Sequence, residues 1–73
     1  MARRKPKFYI YAKVGTWPQS KVWVWDLKSI VPGSRIEWME NGRYGEGPEP
    51  NGPVHRGVVD SIDSEGLVRI SRM

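Results

Sequence analysis

From residue 7 to residue 14 the side chains alternate. Phe8, Ile10, Ala12 and Val14 fall on one side, and Lys7, Tyr9, Tyr11 and Lys13 on the other. A period of two predicts a β-strand with one buried face. Gly15-Thr16-Trp17-Pro18-Gln19-Ser20 breaks the pattern as a turn. A second strand is predicted over 21–25, with Val22 and Val24 on one side and Lys21, Trp23 and Trp25 on the other. Residues 26–30 allow one short helical turn capped by Asp26, and Pro32-Gly33 makes a further turn. A third strand follows over 35–40, with Ile36 and Trp38 facing one way. A Gly/Pro-rich loop opens at Asn41-Gly42 and runs to Pro53. The fourth and fifth strands are predicted over 55–62 and 67–71, joined by the tight turn Asp63-Ser64-Glu65-Gly66.

Five short strands with Gly/Pro turns predict an all-β domain that closes on itself, because a sheet this small must cover both its edges and one apolar face. An OB barrel usually carries a longer helix between its third and fourth strands, and residues 41–54 are too rich in Gly and Pro for one. The expectation is a single five-stranded SH3-like β-barrel over 7–73, preceded by a flexible basic arm over 1–6.

Composition narrows the chemistry. The chain has 73 residues, one small domain whose folding buries only roughly 60% of the surface of the unfolded chain. It has no cysteine and one histidine, which excludes a disulfide framework, a thiolate nucleophile and a Cys/His zinc site. No apolar run approaches the ~18 residues of a membrane span, and no apolar stretch follows the basic N-terminus as in a secretory signal. Net charge is +4, unevenly spread. Residues 1–28 hold seven bases (Arg3, Arg4, Lys5, Lys7, Lys13, Lys21, Lys28) against Asp26 alone, a balance of +6. Residues 29–73 hold five bases and seven acids, a balance of −2. The positive charge thus belongs to the arm and the first two strands, the footprint of a polyanion binder.

The first two strands carry the candidate site. Pairing them as a hairpin with Tyr11 opposite Trp23 sets Tyr9 opposite Trp25 and Lys13 opposite Lys21, and turns Lys7, Tyr9, Tyr11, Lys13, Lys21, Trp23 and Trp25 outward together. Four aromatic rings beside lysines form a stacking platform of the kind single-stranded nucleic acid uses. Two other readings stay open: Trp23 and Trp25 belong to the core, or the aromatic face buries against a partner or a second copy of the chain. Arg3, Arg4, Lys5 and Lys7 of the arm suit phosphate contact, or serve as a solubilising tail. Arg35 and Arg43 extend a positive edge, near Tyr44 and Arg56 and within reach of Glu37, Glu40, Glu46 and Glu49 as ion-pair partners.

The remaining residues do not assemble a reaction. His55 is the one conventional general base and has no Ser or Cys nucleophile in a recognisable pattern. Asp60, Asp63 and Glu65 suit either a hard cation or, more commonly, a solvated turn. The loop through residue 53 lacks the Gly-Lys-Ser/Thr ending of a phosphate loop. The expectation is no enzyme, no metal and no cofactor.

Arg35-Ile36-Glu37-Trp38-Met39-Glu40-Asn41-Gly42, with Arg56-Gly57-Val58-Val59, resembles the central hairpin of the small crenarchaeal chromatin proteins, and Lys21-Val22-Trp23 resembles their Lys-Val-Trp. Residues 56–70 are similar to KOW-type barrels of ribosomal and transcription proteins in their Gly-x-Val…Ile-Asp…Gly-x-Val-x-Ile spacing. The chain departs from the chromatin proteins in a longer loop over 43–54, a longer spacing from Trp23 to Ile36, and the lack of a C-terminal helix. The resemblances support the small-barrel fold, and the basic, aromatic face of the first two strands with the arm gives the functional expectation: a non-catalytic nucleic-acid-binding protein, chromatin-like, nucleoid-like or RNA-associated. It would bind duplex or single strands with little sequence preference, and be cytoplasmic, or nucleoid-associated in a prokaryote. The alternative expectation is a protein–protein adaptor or small structural subunit that docks through the same aromatic face, as a homodimer or on a partner. Neither reading involves a membrane or a small-molecule substrate.

Overall fold

The computed structural model describes residues 4–43, 45 and 47–73. Arg3, Tyr44 and Glu46, all invoked above, lie outside the described residues. Five strands form: β1 (Phe8–Val14), β2 (Ser20–Val24), β3 (Arg35–Glu40), β4 (His55–Ile62) and β5 (Val68–Arg72). Each pairs with the next as an antiparallel neighbour, and β1 pairs with β5 to close a barrel in the order β1-β2-β3-β4-β5. In an up-and-down meander with an odd number of strands the first and last run the same way, so the closing β1–β5 seam is parallel. The protein is an all-β, five-stranded small barrel of the SH3-like kind.

The alternating inward positions make the core: Ala12, Val14, Val22, Val24, Ile36, Trp38, Val59, Val68 and Ile70, with Ile10 and Ile30 packed against it half-buried. The strand limits expected from alternation agree to within a residue or so, because the period-two pattern directly reports the buried face.

Three expectations are corrected. The hairpin register is Tyr9 opposite Trp23 and Tyr11 opposite Lys21, two residues from the pairing inferred above. The cause lies in the turn. Trp17 N–H donates to the Val14 carbonyl at 3.0 Å, and Gly15 takes φ 56°, so the chain reverses at Gly15-Thr16, ahead of Pro18. A shift of two leaves every side chain on its expected face. Second, no helical turn forms over 26–30. The Asp26 carboxylate accepts from the Lys28 N–H at 2.8 Å and the Ser29 hydroxyl at 3.2 Å, which folds the segment into tight turns. Third, Phe8 has inward parity but is 45% exposed. The β1–β5 ladder begins only at Ala12, so no described strand flanks the start of β1 on that side. The turn over 63–66, by contrast, forms as expected, and Asp63 organises it. Its Oδ1 accepts from the N–H groups of Glu65 and Leu67 at 2.9 and 3.0 Å and builds the β4–β5 turn. Asp60 accepts from the Ser71 hydroxyl.

Candidate nucleic-acid interface

The outward residues of β1 and β2 are Tyr9, Tyr11, Lys13, Lys21 and Trp23, and none is acidic. Tyr9 and Tyr11 are 49% and 48% exposed, with ring centroids 6.0 Å apart and planes at 85°. Two rings one strand-repeat apart thus form a corner open to solvent. Lys21 sits on the neighbouring strand with its Nζ 4.5 Å from the centre of the Tyr9 ring, a cation–π contact.

Trp23 does not join this platform as an open ring. It is 9% exposed, with the Tyr9 ring 5.5 Å away at a tilt of 57° and Met39 of β3 in register on its other side. Its Nε1 donates to Asn41 Oδ1 at 2.8 Å. A buried indole N–H needs an acceptor, and the first residue after β3 supplies it. Trp23 therefore supports Tyr9 from the side and leaves no face for a base. Trp25 is half-buried, and its Nε1 donates to the Arg4 carbonyl.

That bond fixes where the arm runs. Of the described residues in the segment read as an arm, Arg4 and Lys5 are exposed and Pro6 is buried. Arg4 and exposed Arg35 line one hollow with Trp25, Asp26 and Glu37. Lys5 and Arg43 line another with Gly42, Pro48 and Glu49. Lys7 lies beside Phe8 and Trp25. The predicted cations therefore divide into two groups: Lys13 and Lys21 flank the tyrosines, while Arg4, Lys5, Lys7, Arg35 and Arg43 gather around the arm. The second group is the more mixed in charge. Glu37 accepts from Arg56 Nε at 3.0 Å, and Glu49 accepts from the Arg43 main-chain N–H at 3.3 Å.

One cation was missed. Arg69 of β5 stands in register beside Lys13 across the closing seam, both with outward parity. Alternation alone turns Arg69 outward, but no local signal places a residue 56 positions along the chain (69 − 13) next to Lys13. Barrel closure does that.

His55 stacks on Trp38 with centroids 5.8 Å apart and planes at 25°. Its Nε2 lies 3.8 Å from Glu40 Oε1, is buried, and has no hydrogen-bond partner among the described residues. Among those residues no group of three or more His, Asp or Glu side chains gathers to hold a metal ion.

Compared with known proteins, the chain matches no family model, no curated protein and no solved structure. The likeness to chromatin proteins and KOW-type barrels therefore rests on the sequence motifs alone.

Proposed function

We propose that the protein is a non-catalytic nucleic-acid-binding module that takes single-stranded segments on the outer face of β1 and β2. The observation that carries this reading is the exposed Tyr9–Tyr11 corner with Lys21 on one side and the Lys13–Arg69 pair on the other, on two strands without an outward acid. Bases stack on the tyrosines while phosphates meet the cations, a combination that tolerates any sequence because every base has a π-face. Tyr11 is the principal stacking ring. Its one ring contact among the described residues is the edge of Tyr9, whereas Tyr9 also packs on Trp23 and under Lys21.

The test is Tyr11→Ala with a fluorescent oligonucleotide, as single-stranded DNA, as RNA and as duplex. The ring supports no core, so the fold persists. Single-strand affinity falls by ~1–3 kcal/mol, about 5- to 150-fold. A wild-type protein that binds none of the three nucleic acids contradicts the proposal. It would leave the same face as a protein-docking surface.

A further inference from the structure

Among the described strands, the backbone at the start of β1 is paired on one side only. The ladder to β2 covers Phe8 to Ala12, but the ladder to β5 covers only Ala12 to Val14. The Gly15 N–H donates to the Ile70 carbonyl at 2.9 Å, which fixes the orientation of the alternating peptide groups. Odd-numbered residues of β1 point their N–H and C=O toward the β5 side, and even-numbered ones toward β2. The Tyr11 carbonyl meets the seam where β5 starts at Val68. The Tyr9 N–H, the Tyr9 carbonyl and the Tyr11 N–H point at an edge where no described strand pairs. Unpaired edges with apolar side chains are templates for another strand.

We infer that this edge pairs with the same edge of a second copy, antiparallel, about a two-fold axis through Tyr9. The register follows from the open groups. Tyr9 exchanges both hydrogen bonds with the partner's Tyr9, and the Tyr11 N–H donates to the carbonyl of the partner's Lys7. All three unpaired groups are then satisfied. On the inward face the same register sets Phe8 opposite the partner's Ile10, an aromatic–β-branched pair that covers the otherwise exposed Phe8 ring. On the outward face it sets Tyr11 opposite the partner's Lys7, a ring beside a cation and not a pair of like charges. An isologous contact of this kind closes at two chains. It also joins the two tyrosine corners into one continuous surface, although the pairing itself does not depend on nucleic acid.

The test is the solution mass of the full chain without nucleic acid, by sedimentation from micromolar to millimolar concentration. The expected particle contains two chains of 8.4 kDa each at the upper concentrations. Tyr9→Pro removes the N–H on the open edge, where proline is tolerated, and halves that mass. Tyr9→Cys adds a single thiol to a chain that has none, and a hydrogen-bonded pair about 5.5 Å apart at Cα suits a disulfide. Under mild oxidation Tyr9→Cys gives a covalent dimer, and Lys13→Cys, on the closed seam, does not. A single-chain mass throughout, or equal cross-linking of the two cysteine variants, overturns the inference. Either result leaves the nucleic-acid reading intact.

Discussion

Gly57 shows how little slack the barrel interior has. It stands opposite Ile36 in the β3–β4 ladder. A Cβ there would lie 2.5 Å from the Ser71 carbonyl oxygen, 2.8 Å from Ile70 Cγ2 and 3.1 Å from Trp38 Cη2. The fully buried Trp38 ring uses the space that any side chain at position 57 would need. Two of the three neighbours are buried core side chains and one is backbone, so none moves cheaply. Gly57→Ala is therefore expected to lose ~1–3 kcal/mol in chemical denaturation, the usual range for overpacking. Unchanged stability would mean that the β4–β5 strands separate there without cost. The sequence placed this glycine in a motif but not its reason, because the constraint comes from Ile70 and Trp38, both distant along the chain.

Trp23 belongs to the scale of elements. It links β2 to β1 through the Tyr9 ring, and to β3 through Met39 and Asn41. It is an outer layer of packing on the opposite side of the sheet from the core. Trp23→Ala should cost about 3 kcal/mol or more in thermal or urea unfolding, as for other buried tryptophans. Binding of oligonucleotide by the fraction that remains folded should change far less than in Tyr11→Ala. A Trp23→Ala protein of native stability and weakened binding would reverse the roles given to the two rings. Alternation correctly turned Trp23 outward, but outward was not the same as exposed. Burial on that face depends on Tyr9, Met39 and the segment after β3, and the Tyr9 pairing in turn depends on where Gly15 reverses the chain. The strands themselves were legible, since a buried face leaves a period-two signature. The segment 26–30 was not, because the Asp26 side chain bonds the backbone as readily in a turn as at a helix cap.

Over the whole molecule, charge and closure act together. Closing five strands into a barrel brings Arg69 beside Lys13, so a basic first half of the chain gains a cation from the other end. The excess of bases over the first 28 residues was plain in the sequence; its division between the tyrosine corner and the arm was not, because that depends on the Trp25 bond to Arg4. The central claim is that phosphates are held beside Tyr9 and Tyr11 by Lys21, Lys13 and Arg69. The measurement that tests it most directly is the salt dependence of single-strand binding, for the wild type and for Lys13→Ala/Arg69→Ala. Each phosphate contact on a single strand contributes about −0.7 to the slope of log affinity against log salt. The wild type should give a straight line of negative slope, and the double variant a line shallower by about 1.4, two contacts at about 0.7 each. The same slope in both proteins, or an affinity insensitive to salt, would contradict the account.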